Sequence, residues 1–149
     1  MATIDELTKT RFENDKHRFI TNLMFTSNWI KNLFVEFLKP YGISTQQYNI
    51  LRILREADDW VAMHDIKRLM IEKSPNATRL ADKLLAKKLI KRGRGAEDRR
   101  HVYLHISEEG LQLLEAIDQD DQGEHVDFIN RISEEEASLL NPIMDKLRG

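Results

Sequence analysis

The chain has 149 residues, of which 41% are hydrophobic and 32% are charged, and its net charge is −2. These proportions favour a single helix-rich domain with a hydrophobic core. Cysteine is absent, which excludes a disulfide framework and a thiolate sensor and agrees with a cytoplasmic location. No apolar run approaches the length of a membrane span and the N-terminus is too charged for a signal peptide, so we expect no membrane segment.

Positive charge is concentrated in the middle of the chain. Between Trp60 and His105 there are 12 Lys and Arg residues and 5 Asp and Glu residues, a net charge of +7. The rest of the chain carries 11 basic and 20 acidic residues, a net charge of −9. This segregation is typical of a region that faces nucleic acid and is carried on an acidic scaffold.

The N-terminal part has helical spacing of apolar residues from Asp5 to Lys39. These residues surround much of the helix, so we expect burial on more than one side, in part against a second subunit. Residues 39–42, Lys-Pro-Tyr-Gly, end the helix.

The next predicted helix begins with a capping box. Ser44 and Gln47 have the spacing at which each side chain can bond the backbone amide of the other residue. The helix is expected to end near Asp59. The apolar residues 60–62 are then expected to form a short strand against a later hairpin.

A helix-turn-helix is predicted next. Its first helix runs from Met63 to Met70, with Ile66, Leu69 and Met70 facing inward, and residues 71–73 form the turn. The second helix is expected to start at Ser74, a good N-cap residue, with Pro75 at the first helical position, where no amide donor is needed.

The second helix of this motif carries a polar face opposite its apolar positions. Short hydrogen-bonding residues lie at its N-terminal end, with cationic residues behind them. Such residue types read base edges and hold phosphates, although a solvated surface is the alternative interpretation. The residues of this face are Asn76, Thr78, Arg79, Asp82 and Lys83.

A β-hairpin is predicted after this helix. Leu89 and Ile90 begin its first strand, and residues 102–106 alternate apolar and polar as its second strand. The segment between them is mostly basic, and Gly93 and Gly95 permit a turn with unusual backbone angles. A helix followed by a basic hairpin is the arrangement of a winged helix, in which the helix enters the major groove of DNA.

The C-terminal part is predicted to be helical. Ser107 caps an acidic helix that we expect to reach about Asn130, with a kink or fraying near Gly123. Ser133 and Glu136 form a second capping box, which starts the last helix.

Two stretches together form a recognisable pattern. The hairpin contains Asp98-Arg99-Arg100, Val102, Leu104, Ile106-Ser107 and Gly110, and the helix before it contains Ser74, Thr78-Arg79-Leu80, Asp82-Lys83-Leu84, Leu89-Ile90 and Arg92. This pattern resembles the wing and recognition helix of the MarR (multiple-antibiotic-resistance regulator) family of bacterial transcription factors. One departure is Lys88, where the family usually has glycine, so a left-handed turn at this position would strain Lys88.

The resemblance implies a fold that is mostly α with a small β-hairpin wing. This fold is a winged helix-turn-helix with N- and C-terminal dimerisation helices. The resemblance covers most of the chain, which implies one MarR-like domain, residues 1–149. Within it, residues 43–107 would be the DNA-binding lobe, and residues 1–40 and 108–149 would form the helical dimerisation region.

The resemblance also implies a sequence-specific DNA-binding transcriptional regulator, a homodimeric repressor that a small-molecule effector releases. Its partner would be double-stranded DNA with a pseudo-palindromic operator, read by two recognition helices about 34 Å apart. The alternative is a winged-helix protein-interaction module without sequence-specific DNA binding. No cofactor, metal site or enzyme activity is expected, because no nucleophile setting, glycine-rich phosphate loop or paired histidines can be found.

Specific roles follow for the wing and the helix before it. In the family, the arginine two residues after the aspartate reaches the minor groove or the backbone, and the aspartate orients the wing arginines. Arg100 would therefore contact the groove with Asp98 as its support, and a surface ion pair is the alternative. The predicted DNA-binding residues are Lys73, Ser74, Asn76, Thr78, Arg79, Lys83, Arg92, Arg94, Asp98, Arg99 and Arg100.

The implied effector would be a small aromatic or anionic molecule bound between the dimerisation helices and the DNA-binding lobe. The residues proposed to line its pocket are His17, Phe25, Trp29 and Tyr48. A plain hydrophobic core is the alternative interpretation of these aromatic residues.

Overall fold

The computed structural model describes residues 2–95, 100–120 and 123–149. The helices are α1 (Ile4–Thr8), α2 (Asp15–Leu38), α3 (Thr45–Ala57), α4 (Met63–Leu69), α5 (Ala77–Ala86), α6 (Glu108–Asp118), α7 (Glu124–Asp127) and α8 (Glu134–Arg148). The strands are β1 (Val61–Ala62), β2 (Ile90–Arg94) and β3 (Val102–Ile106). The predicted fold class, mostly α with a small β-hairpin wing, is confirmed. In the part of the chain that is described, no helix has the length and apolar character needed to cross a membrane.

The chain divides into two compact units. One unit contains the described residues up to Leu33 and those from Gly123 onward, and the other contains Phe34–Asp120. Helices α3 to α6 and the whole sheet therefore lie within the second unit.

The core of the second unit lies between the helices and one face of the sheet. The three strands are antiparallel in the order β1-β3-β2, so β3 is central. Its apolar residues alternate as predicted, and Leu104 and Ile106 are buried. The largest fully buried side chains of this core are Leu38, Ile50, Leu51, Leu54, Ile66, Leu84, Leu104 and Leu114.

Two predicted capping boxes are present. Ser44 accepts a hydrogen bond from the amide of Gln47, and the Gln47 side chain accepts one from the amide of Ser44. Ser133 and Glu136 form the same reciprocal pair at the start of α8. Both motifs satisfy amides that the first turn of a helix leaves without partners.

The two long terminal helices predicted from the sequence are shorter than expected. At the N-terminus, Thr3 and Asn14 each supply a capping oxygen, so α1 and α2 form instead of one helix. The chain leaves α1 through Lys9 at a φ of 52°, a left-handed conformation that ends a helix. Toward the C-terminus, α6 ends at Asp118 and not near Asn130.

The start of α5 also differs from the prediction. The helix begins at Ala77 with Asn76 at the N-cap position, so Ser74 is not the N-cap and Pro75 is not the first helical residue. The Ser74 side chain instead accepts from the amide of Asn76, and its carbonyl accepts from Ala77. Because proline favours the second position of a turn, Ser74 to Ala77 form a turn before the helix starts.

Two single-residue expectations about side chains and glycines are wrong. Leu69 was expected to face inward, but it is 54% exposed while Ile66 and Met70 are buried. Gly93 was expected to lie in the turn of the hairpin, but it lies inside β2 and pairs with Tyr103. At Lys88, where the sequence left open a strained left-handed residue or a different turn, the backbone is left-handed with a φ of 60°.

Candidate nucleic-acid interface

The orientation of α5 is set by its buried side. Ala77, Ala81 and Leu84 are buried in the core, and they repeat at the helical period. Helix α5 contacts α3, whose Gln47 side chain donates to the carbonyl of Leu80 at 3.5 Å. The polar residues Thr78, Arg79 and Lys83 are consequently exposed on the outer surface of α5.

The end of α5 is fixed by a pair of backbone hydrogen bonds. The amide of Lys88 donates to the carbonyl of Leu85 at 2.9 Å, and the amide of Leu89 donates to that of Leu84 at 3.0 Å. This is the Schellman arrangement, which requires a left-handed residue at Lys88. The turn therefore has the geometry that glycine would adopt more easily, and the chain passes directly from it into β2.

The wing strands present different residues on their two faces. Ile90, Arg92 and Arg94 lie on the inner face, which we define as the face carrying Leu104, since Arg92 pairs with Leu104 and Arg94 with Val102. The side chains of Arg92 and Arg94 therefore lie on the side of the sheet that faces the core and α5. Arg92 Nη2 lies 3.0 Å from Oδ1 of Asp82 on α5, so the wing and α5 are joined by an ion pair.

A cleft of about 270 Å³ lies between α4, α5 and the wing. Its lining combines Thr78 of α5 with Arg92 of β2 and Arg100, three of the residues predicted to contact DNA. Lys67 of α4 adds a third cation, and among the described residues none of the lining side chains is acidic. We call this the cationic cleft; it is lined by Met63, His64, Lys67, Thr78, Arg92, Arg100, His101 and Val102.

Sequence reasoning missed the contribution of α4 and of two histidines. His64 and Lys67 lie one turn apart on α4 and both line the cleft. The rings of His64 and His101 have centroids 5.8 Å apart. The exposed side of α4 opposite Ile66 was the available signal, since His64 and Lys67 share it at helical spacing.

The other predicted DNA-binding residues are placed as follows. Lys73 is exposed, but its ammonium donates to the carbonyl of Lys67 at 3.3 Å and to that of Arg68, at the C-terminal end of α4. Ser74 is half-buried and engaged in the turn before α5. Asp98 and Arg99 lie outside the described residues. The other residues predicted to bind DNA are exposed; they are Asn76, Arg79, Lys83 and Arg94.

Of the four residues predicted to line an effector pocket, His17, Phe25 and Trp29 belong to the first unit and Tyr48 to the second. His17 and Trp29 are 12 residues apart on α2, which separates them by about 18 Å along the helix axis. His17 instead lies 3.6 Å from the Glu13 carboxylate at the start of the helix. Trp29 is in edge contact with Phe128, and the Arg131 guanidinium lies 5.8 Å from the Trp29 ring. Tyr48 belongs to the other unit, where Arg52 lies over its ring at 5.9 Å.

Among residues 2–95, 100–120 and 123–149, no group of three or more histidine or acidic side chains could hold a metal ion.

Comparison with known proteins identifies the family. The family model described as the transcriptional regulator SarA/Rot matches residues 32–117, which is more than half of the chain. Among sequence relatives, the HTH-type transcriptional regulator MhqR of Bacillus subtilis (strain 168) is 27% identical over 110 residues. That match covers 74% of this chain and 75% of MhqR.

Solved structures have the same fold. A mutant of MarR from E. coli complexed with operator DNA superposes with a TM-score of 0.78 at 19% identity, covering 93% of this chain and 99% of MarR. A MarR transcription factor from Planctomyces limnophilus gives a TM-score of 0.68 at 29% identity, covering 91% of this chain and 98% of that one. With the winged-helix fold and the matched family model, the chain belongs to the SarA/Rot transcriptional regulators and is a winged helix-turn-helix protein of the MarR type.

Proposed function

We propose that this regulator binds double-stranded DNA sequence-specifically, as a homodimeric repressor acting on a pseudo-palindromic operator. Helix α5 would enter the major groove, and the wing would lie on the adjacent backbone or minor groove. The proposed contacts are those predicted from the sequence, with Lys67 added from α4. The proposal treats the chain as one MarR-like domain, with the second unit as the DNA-binding part.

The observation that carries this proposal is the lining of the cationic cleft. Thr78, Arg92 and Arg100 come from α5, β2 and the residues before β3, and they meet at one surface. The cleft brings three cations together, of which Arg92 is paired with Asp82, and their positive potential suits a phosphate backbone. The exposed Arg79 on the same helix can form a bidentate pair with a guanine base.

Dimerisation is supported by apolar surface in the first unit. α8 has an apolar residue at each helical turn, yet none of its residues is buried. A helix with an apolar face is stabilised mainly by burying that face, so a second copy is the partner that we propose. The exposed apolar residues of this unit are Leu7, Ile20, Met24, Phe25, Ile129, Ile132, Leu139, Leu140, Ile143 and Leu147.

An effector remains part of the proposal in a narrower form. Phe25 and Trp29 are four residues apart on α2 and therefore share one face of the helix. Phe25 is 43% exposed, so a small aromatic or anionic molecule could reach this face. Release from DNA would require the effector to bind one spacing of the two α5 helices more tightly than the other.

The test is selection of bound duplexes from a random pool, followed by titration of the selected duplex at several salt concentrations. We expect enrichment of an inverted repeat with half-sites about one helical turn apart. Arg100→Ala should weaken binding and reduce the slope of log affinity against log salt by about 1. Lys16→Ala, which removes an exposed charge near the start of α2, should leave the slope unchanged.

Two outcomes would reject this function. Equal affinity for all duplexes, together with capture of an acidic peptide, would favour the protein-interaction module. Unchanged duplex binding by folded Arg100→Ala would remove the wing from the interface.

A further inference from the structure

The wing has a second face that the proposed DNA contacts do not use. The outer face of the sheet carries Lys91, Gly93, Tyr103 and His105, because these residues alternate with the inner ones and pair as Lys91 with His105 and Gly93 with Tyr103. Trp60 lies immediately before β1, and Ala62, two residues later, pairs with Tyr103. Trp60 is therefore on the outer face as well.

The indole of Trp60 lies directly against the backbone of Gly93. A Cβ atom placed on Gly93 would be 2.9 Å from Cζ3, 3.2 Å from Cη2 and 3.4 Å from Cε3 of the ring. The distance of 2.9 Å is shorter than the contacts of real Cβ atoms, so the ring fits in this position because residue 93 lacks a side chain. The glycine thus serves a close approach of an aromatic ring to a strand.

The ring also crosses the central strand. The centroids of Trp60 and His105 are 5.4 Å apart, with the rings tilted by 50°. Trp60 therefore contacts β3 through His105 and β2 through Gly93, so one side chain spans both strands of the wing. Its own backbone is held by the Asp59 carboxylate, which accepts from the Trp60 amide at 2.7 Å.

The contact between Trp60 and Gly93 lies close to Arg94, one of the arginines proposed to face DNA. Gly93 is followed by Arg94, and its partner Tyr103 is preceded by Val102, which pairs with Arg94. A two-stranded ribbon twists easily, so its outer end needs a contact outside the ladder to fix its direction. The ring of Trp60 makes such a contact one residue before Arg94.

We propose that Trp60 is a positioning residue for DNA binding: its indole, seated on Gly93, sets the angle of the wing and thereby places Arg94 and Arg100 beside α5. The role in DNA binding rests on the proposed function; the control of wing geometry does not. Trp60 would touch no DNA itself, since it lies on the face of the sheet opposite to Arg92 and Arg94.

The first experiment measures the wing without DNA. Backbone amide hydrogen exchange is compared in wild type, Trp60→Ala and Trp60→Phe, residue by residue along β2 and β3. We expect faster exchange in Trp60→Ala at the Arg94–Val102 end and no change at the Ile90–Ile106 end, with partial recovery in Trp60→Phe. A general loss of stability would accelerate exchange at both ends.

A double-mutant cycle tests the ring-to-glycine contact itself. Gly93→Ala alone places a methyl group against the ring and should disturb the wing. In a Trp60→Ala background the same methyl group has room, so Gly93→Ala should have little further effect or should restore protection. Additive effects of the two substitutions would overturn the proposed contact.

The second experiment measures salt-dependent duplex binding. Trp60→Ala should reduce the slope of log affinity against log salt by about 2, as the Arg94→Ala/Arg100→Ala variant does, since each wing arginine accounts for about 1. Combining all three substitutions should add no further loss. If the arginine variant loses affinity while Trp60→Ala binds like wild type, the positioning role is wrong and the proposed function stands. If the wild-type protein binds no duplex, the proposed function fails. The hydrogen-exchange profile and the double-mutant cycle then decide by themselves whether Trp60 sets the angle of the wing.

Discussion

Asp82 of α5 and Arg92 of β2 form an ion pair, with 3.0 Å between Oδ1 and Nη2. The pair links the helix that carries Thr78 and Arg79 to the strand that continues into the wing. Both side chains are substantially exposed, at 53% and 40%, so the pair contributes only about 0.2–1 kcal/mol to the free energy of unfolding. Its main effect is on where the Arg92 charge is held and on how much of it is neutralised.

Asp82→Asn is therefore expected to change DNA binding more than stability. The unfolding free energy should fall by less than about 1 kcal/mol. Binding to non-specific duplex should strengthen, and the salt slope should rise by about 1, because Arg92 becomes available to a phosphate. Fluorescence anisotropy of a labelled random-sequence duplex at several salt concentrations measures both quantities. Glu109→Gln, which removes an exposed charge from α6, is the control, and weaker binding by Asp82→Asn would contradict the expectation.

Replacing Lys88 with glycine is expected to stabilise the folded protein. Its φ of 60° is a left-handed conformation, which costs a residue with a side chain roughly 1–2 kcal/mol and costs glycine little. Glycine also loses more backbone entropy on folding, about 0.5–1 kcal/mol. Lys88→Gly should therefore raise the free energy of unfolding by about 0.5–1 kcal/mol in urea denaturation.

The matched control for Lys88→Gly is Ala86→Gly, two residues earlier in the last turn of α5. Ala86 is exposed and helical, so glycine there should lower the unfolding free energy by about 1 kcal/mol. Equal effects of the two glycine substitutions would mean that the left-handed turn stores no strain.

Gly110 is expected to tolerate no side chain. A Cβ atom at this position would lie 2.2 Å from the carbonyl oxygen of Leu89 and 2.8 Å from Cγ1 of Ile106. The nearer atom is backbone, so the contact cannot be relieved by a change of rotamer. Gly110→Ala should lower the unfolding free energy by roughly 3 kcal/mol, measured by thermal or urea denaturation.

Glu109→Ala provides the comparison for Gly110→Ala, because Glu109 is the preceding residue of the same helix and is exposed. Its substitution should change the unfolding free energy by less than about 0.5 kcal/mol. A stable Gly110→Ala variant would mean that α6 can move away from the turn after α5.

Ile143 lies on the exposed apolar face of α8 and is 50% exposed. If this face binds a second copy, Ile143→Glu places a charge in an apolar interface and should convert the dimer to a monomer. Multi-angle light scattering should register one chain mass where wild type gives two. Lys146→Glu, on an already polar position of α8, should remain dimeric, and a wild-type protein that is monomeric at every concentration would remove the dimer from the proposal.

Local signals were sufficient for much of the fold. Ser44 and Gln47 bond to each other within one turn, so their spacing predicted the start of α3 correctly. The alternation of residues 102–106 likewise predicted β3 and its buried face. The start of α5 was predicted two residues too early, because Ser74 can cap either a helix or a turn and Pro75 fits both.

Other features depend on residues far apart in sequence. Nothing near Gly93 indicates that its missing side chain makes room for Trp60, 33 positions earlier. Lys67 and His64 join the cationic cleft because α4 and the wing meet in the folded unit. The predicted effector pocket stays a prediction, and its residues His17 and Trp29 are separated along α2 by about 18 Å. All the predicted DNA-binding residues stay predictions, and Asp98 and Arg99 lie outside the described residues.

Ser107 joins three elements at one hydroxyl and one amide. Its hydroxyl donates to the carbonyl of Lys88 at 2.6 Å and accepts from the amide of Gly110 at 3.0 Å, and its own amide donates to Leu89 at 3.1 Å. These three hydrogen bonds of one buried residue consequently hold the exit of α5, the end of β3 and the first turn of α6 rigidly together. A tilt imposed on α6 at its far end would therefore be transmitted through Ser107 to α5 as a rotation.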